Sequence, residues 1–272
     1  MGTSRLAAAL GAATGVLSHR LPYLALGSGR PLVFLRPTIC EHANPRGWLR
    51  DAEIRMLAPL AGHFRVYAVH RAPGTAPGTT MRDIAGQHAE ALAAEFGGPV
   101  DVLGLSSGGA LGLQLAADYP AEVRRLVVVS AGYRLERTCR TARLRYGAAA
   151  AEGRRAMRLM AGGLFASVVR TRTAALTEWL LDPFGRPRYP ADAVCFARAE
   201  HEFDIGGRLA KITAPTLVIG GERDAYYSVA NFRRTADRIP DSRLVIYPRA
   251  THTGVIGYGR FIPDVLDFLT AT

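Results

Sequence analysis

The chain has 272 residues, is 49% hydrophobic and carries a formal charge of +11. That composition excludes a mostly disordered chain, and no apolar run approaches the ~18 residues of a membrane-spanning helix. The cysteines, Cys40, Cys139 and Cys195, are scattered and form no CxxC pair, which argues against both a disulfide framework and a zinc site.

The high charge first suggests nucleic-acid binding. However, of 34 basic residues only Lys211 is a lysine, a bias that fits GC-rich coding better than selection for a partner. Leu6 to Leu17 is an Ala-rich apolar run behind Arg5. One charge, and Ala and Gly in place of Leu, make it a poor secretory leader. It is expected to be a loosely ordered arm on a cytoplasmic protein.

Beyond it, short apolar runs alternate with helical stretches. Strands are expected at 21–26, 31–35, 65–69, 100–105, 126–130, 216–219 and 244–247. Helices are expected at about 48–61, 81–96, 108–119, 229–238 and 261–269. Continuous apolar strands separated by helices make βαβ units, hence an α/β fold with a mostly parallel sheet covered on both faces. The alternation breaks between about Gly132 and Asp204, where no convincing strand occurs. Residues 1–131 and 206–272 thus read as one core, and 132–205 as a helical insertion. Such insertions usually sit beyond the carboxyl ends of the strands.

Between Tyr133 and Thr173 the insertion holds ten arginines against Glu136 and Glu152. They read as a solvated helical face, or else as a surface for an anionic substrate or partner. From Arg134 to Arg145 their spacing wraps around a helix, and only Tyr133 and Tyr146 are there to stack on bases, so nucleic acid is the weaker reading. Met157, Met160, Leu164, Phe165 and Trp179 offer an apolar substrate pocket, although such spacing also makes ordinary core.

The chemistry concentrates in Gly104-Leu105-Ser106-Ser107-Gly108-Gly109, which follows a strand and opens a helix. That is the context G-x-S-x-G requires. The turn strains Ser106 into φ > 0, lifts its hydroxyl above the sheet, and sets the Ser107 N–H at a helix N-terminus. A serine needs a base. His252, in the loop after the last strand, is the candidate; His42 and His70 also follow strands and read as pocket or packing residues. The base needs an orienting carboxylate. Asp224, 28 residues earlier at the apex of a loop after a strand, is preferred over Glu222 and Glu136.

These pieces resemble the α/β-hydrolase fold family. The resemblance spans about Leu21 to Leu269 and rests on GLSSGG at 104–109, PTLVIGGERD at 215–224 and ATHTG at 250–254, in the order Ser, Asp, His. It implies a sheet of about eight strands, a helical lid at 132–205, and a triad of Ser106, Asp224 and His252. Where the family often has His-Gly after the third strand, this chain has Arg36-Pro37. Proline donates no N–H, which leaves Thr38 and Ser107 as the expected oxyanion donors. Arg36 is expected either to hold a substrate carboxylate or to pair with an acid such as Glu41.

The activity implied is serine hydrolysis of a small carboxylic ester, lactone or thioester through an acyl-enzyme, with no metal or organic cofactor. The alternatives are a thioesterase or acyl-cyclising role in biosynthesis, and a non-catalytic ligand-binding member of the fold. Serine at the elbow argues against epoxide or haloalkane chemistry, for which the family uses aspartate there.

Overall fold

A computed structural model describes residues 3–37, 42–152 and 189–271. Its strands are β1 (Ala13–Leu17), β2 (Leu21–Leu26), β3 (Pro31–Leu35), β4 (Arg65–Val69), β5 (Val100–Leu105), β6 (Val123–Val129), β7 (Thr216–Gly221) and β8 (Ser242–Tyr247). The helices are α1 (Thr3–Ala9), α2 (Gly47–Ala61), α3 (Met81–Phe96), α4 (Ser107–Asp118), α5 (Arg137–Ala151), α6 (Pro190–Glu202), α7 (Val229–Ala236) and α8 (Phe261–Thr270).

One eight-stranded sheet has the order β1-β2-β4-β3-β5-β6-β7-β8. The pairs β1/β2 and β2/β4 are antiparallel, and every pair from β4 to β8 is parallel. The central strands are buried along almost their whole length because helices cover both faces. Met81, Ile84, Leu111, Leu115 and Phe232 from α3, α4 and α7 fill one face. Ile54, Leu57, Phe261, Val265 and Leu269 from α2 and α8 fill the other. Local signals agree with these packing faces. Thr80 and Asp83 form a reciprocal capping box at the start of α3, and Gly97 closes it in the left-handed conformation at φ 65°.

Strand β3 lies between β4 and β5, so the connections after β3 and β5 leave in different directions. That divergence opens a crevice at the carboxyl edge of the sheet. The loops after β3, β5, β7 and β8 therefore converge there.

The N-terminal segment differs from expectation. It is not a loose arm: α1 packs on α2, Ala7 is buried, and β1 pairs with β2 along five residues. Only Leu17 of β1 is buried, so the edge strand carries no alternating pattern by which to recognise it. Within 132–205 the described residues hold α5 and α6, which pack on each other. A Cβ at Gly147 would stand 3.0 Å from the Cβ of Ala197 and 3.1 Å from the carbonyl of Ala193, so the two helices meet through small residues.

Candidate active site

β5 runs into α4 through Ser106, whose backbone is strained at φ 55°, ψ −120°. The cost is of order 1–3 kcal/mol and is held by the surroundings. The Ser106 N–H donates to the Val129 carbonyl at 2.8 Å, and its own carbonyl accepts from Gly109 at 2.8 Å and Ala110 at 3.1 Å. The turn has no room for side chains beside it. A Cβ at Gly108 would overlap the carbonyl oxygens of Leu35 and Arg36, and one at Gly104 would overlap Gly108. Ser106 is left half-buried at the carboxyl end of β5. Ser107 is the first residue of α4, so its N–H belongs to the positive end of that helix.

β7 delivers Asp224. Its Oδ1 accepts from the N–H groups of Tyr226 at 2.8 Å and Tyr227 at 3.1 Å. That leaves Oδ2 to accept from Nδ1 of His252 at 2.8 Å. Nε2 of His252 lies 2.9 Å from Oγ of Ser106. A carboxylate only accepts, so Nδ1 carries the imidazole hydrogen and Nε2 presents its lone pair to the serine hydroxyl. The three residues picked from sequence thus meet in one hydrogen-bonded line, with His252 and Asp224 both buried.

The other candidates fall elsewhere. Glu222 accepts from the Arg249 N–H at 2.7 Å and braces the histidine loop. Glu136 accepts from the Ser228 hydroxyl at 2.7 Å; burial pushes its carboxyl up, but the Ser228 and Asn231 hydrogen bonds outweigh that and hold it below its usual range. Arg36 pairs through Nε and Nη2 with both carboxylate oxygens of Glu53, each at 2.7 Å, and through Nη1 with Asn44 at 3.1 Å. The expected partner Glu41 lies outside the described residues. So do Thr38 and the pocket candidates Met157, Met160, Leu164, Phe165 and Trp179.

His42 and His70 are buried beside each other, their ring centroids 5.1 Å apart. His42 Nδ1 donates to the Ala72 carbonyl at 2.9 Å and its Nε2 accepts from Arg71 Nε at 3.4 Å. Burial, then the Arg71 charge, brings His42 down to about 3 and holds His70 well below the ordinary value. Both are neutral packing residues. Arg71 itself is buried, its guanidinium 3.7 Å from the Phe196 ring centroid of α6, and burial lowers it to about 9. Nearby, Asp192 of α6 accepts from the N–H groups of Gly74 at 3.0 Å and Thr75 at 2.6 Å. Not all of the insertion's arginines are solvated. Arg143 is buried against Glu200 at 2.8 Å, and Tyr133 and Tyr146 are buried too.

Several contributors escaped the sequence reading. The Tyr226 ring lies 4.6 Å from the His252 ring and Tyr227 stacks at 6.3 Å and 16°. Ser130, just past β6, donates its hydroxyl to the His252 carbonyl at 2.8 Å. Their adjacency to the acid motif, and to a strand's carboxyl end, was the available signal. Among the described residues no cluster of metal-ligating side chains occurs, and no helix is long and apolar enough to cross a membrane.

Comparison with known proteins places the fold. The model of the alpha/beta hydrolase family matches residues 29–258. RutD of Variovorax paradoxus (strain S110), provisionally named a carbamate hydrolase, is 31% identical over 221 residues, covering 77% of this chain and 82% of that protein. A hydrolase from Pseudomonas aeruginosa PA01 superposes with a TM-score of 0.70 at 26% identity, over 96% of this chain and 98% of that one. The enol-lactonase from Burkholderia xenovorans LB400 superposes with a TM-score of 0.73 at 19% identity, over 95% and 100% of the two chains.

Proposed function

The chain belongs to the alpha/beta hydrolase family, and from that premise we propose that it is a serine hydrolase acting on a carboxylic ester through a Ser106–His252–Asp224 triad. The observation that carries this reading is the unbroken line of 2.9 and 2.8 Å hydrogen bonds from Ser106 Oγ through His252 to Asp224. Ser106 Oγ attacks the ester carbonyl while Nε2 of His252 takes its proton. Asp224 keeps the imidazole in the right tautomer and stabilises the imidazolium. The Ser107 N–H, at the head of α4, faces the oxyanion of the tetrahedral intermediate. The imidazolium returns the proton to the leaving alkoxide, forming the alcohol and an acyl-serine. Water, deprotonated by His252, attacks that acyl carbon and releases the acid, and Ser106 regains its proton.

In this reading the segment 132–205 is the lid and sets substrate choice. α6 ties it to the loop after β4 through Asp192, next to the crevice edge. Carbamate hydrolysis is a second reading, favoured by the likeness to RutD; it uses the same acyl-serine chemistry with a nitrogen on the carbonyl.

The test is Ser106→Ala. It is expected to lower kcat about 10⁴-fold or more and to abolish fluorophosphonate labelling, with the melting temperature kept. Unchanged turnover in the pure variant would refute the assignment. A panel of p-nitrophenyl esters, a lactone, an acyl-pantetheine thioester and an aryl carbamate then ranks the substrate classes by kcat/KM.

A further inference from the structure

We propose that Ser130 is a positioning residue for the base, holding the main chain of His252 so that its imidazole stays in line with Ser106. The proposal rests on the triad reading above and adds a residue that takes no part in proton transfer. Ser130 follows the last residue of β6 at the carboxyl edge of the sheet and is fully buried. Its N–H donates to the Ile219 carbonyl of β7 at 2.8 Å, which fixes its backbone. Its hydroxyl donates to the His252 carbonyl at 2.8 Å.

Two observations mark this contact as more than filling. First, Ser130 sits at φ 48°, in the left-handed region that glycine occupies without strain. A serine there is strained, whereas glycine would relax the turn, and only the serine supplies the hydroxyl. Second, the rest of the loop is held at other points. Glu222 accepts from the Arg249 N–H at 2.7 Å, and the Arg223 N–H donates to the Ala250 carbonyl at 2.8 Å. Neither reaches residue 252. Tyr226 and Tyr227 fix the plane of the ring, but a plane does not fix height above the sheet. The Ser130 hydroxyl anchors the very residue whose side chain must span Asp224 and Ser106. A misplacement of about 1 Å in such a line costs on the order of 10² in rate.

Strain and positioning make opposite demands on the side chain, which gives the experiment its power. Ser130→Gly relieves strain and removes the hydroxyl. Ser130→Thr keeps the hydroxyl and adds a β-branch to a left-handed backbone. The measurements are melting temperature, kcat and KM on a p-nitrophenyl ester, and the rate of fluorophosphonate labelling. Ser130→Gly is expected to melt at or above the wild-type temperature while losing about 10–100-fold in kcat and in labelling rate, with KM within about twofold. Ser130→Thr is expected to melt lower and, assayed below that transition, to keep most of the wild-type kcat. Wild-type kcat in Ser130→Gly overturns the proposal, as does a folded Ser130→Thr no faster than Ser130→Gly. If Ser130→Thr does not fold, Ser130→Gly against wild type decides alone. Failure of the wild-type protein itself to label at Ser106 instead removes the hydrolase reading, so the two failures are separable.

Discussion

Asp224 shows how much one carboxylate oxygen decides. Its Oδ1 is committed to two backbone donors, from Tyr226 and Tyr227, and only Oδ2 faces the imidazole. In Asp224→Asn the new amide oxygen takes over the two backbone hydrogen bonds, which turns the NH₂ toward Nδ1 of His252. Nδ1 must then accept, the imidazole hydrogen moves to Nε2, and the lone pair that should take the Ser106 proton is gone. We expect kcat to fall about 10⁴-fold with the melting temperature nearly unchanged, read from ester turnover and thermal unfolding. Gly108 makes the complementary case, where space rather than charge decides. Gly108→Ala would drive a methyl into the Leu35 and Arg36 carbonyls, and neither β3 nor α4 can yield without moving Ser106. A loss of about 1–3 kcal/mol in urea unfolding is expected, with fluorophosphonate labelling reduced more than stability. At this scale the hydrogen-bonded line of Ser106, His252 and Asp224 was legible because each member follows a strand and stands beside small residues. Ser130 and Glu53 were not legible, because the first meets His252 across 122 residues of chain and the second pairs with Arg36 only once α2 has packed on the sheet.

The elements of the central sheet could be read from continuous apolar runs, because a strand buried on both faces must be apolar at every position. β1 escaped for the opposite reason: an edge strand with one buried residue of five has almost nothing to write into its sequence. α5 could not be separated from a solvated helix by composition. Its arginines look alike in sequence, yet Arg143 is buried against Glu200 of α6, with both carboxylate oxygens of Glu200 within 3.0 Å of one guanidinium nitrogen. The small-residue contact at Gly147 brings the helices close enough for that pair to form away from water. Removing one member breaks a buried charge pair. Arg143→Met is therefore expected to cost about 3–5 kcal/mol, whereas Arg143→Met combined with Glu200→Met should recover most of that loss. A double-mutant cycle in urea, with Glu200→Met as the other single variant, measures the difference; a double-variant loss equal to the sum of the two single losses would mean that the pair carries no coupling.

At the scale of the whole molecule, the histidines of the packing interior set how the protein responds to acid. His42, His70 and His88 are all buried. Burial first, and then the charge of Arg71, lowers His42 to about 3 and keeps His70 well below 6.5. Burial brings His88 down to about 4, although its hydrogen bond to the Ile84 carbonyl opposes the shift. In the unfolded chain each titrates near 6.5. Between pH 6.5 and about 4 the unfolded state therefore binds protons that the folded state refuses, and stability must fall as pH falls. The slope is about 1.4 kcal/mol per pH unit for each histidine in that window, so three together approach 4 kcal/mol per unit near pH 5. Against a typical total of about 5–15 kcal/mol, that predicts cooperative unfolding on acidification to about pH 4. Asp83 adds to it only at lower pH, because the Thr80 hydrogen bonds set its carboxyl below the usual value. The measurement is the urea unfolding free energy from pH 7 to 4.5. A slope near three protons at pH 5 is expected in the wild type, and about two in His88→Gln. A wild-type slope below one proton would mean that these interior histidines are already charged in the folded protein, and the neutral hydrogen-bonding pattern assigned to His42 and Arg71 would then have to be abandoned.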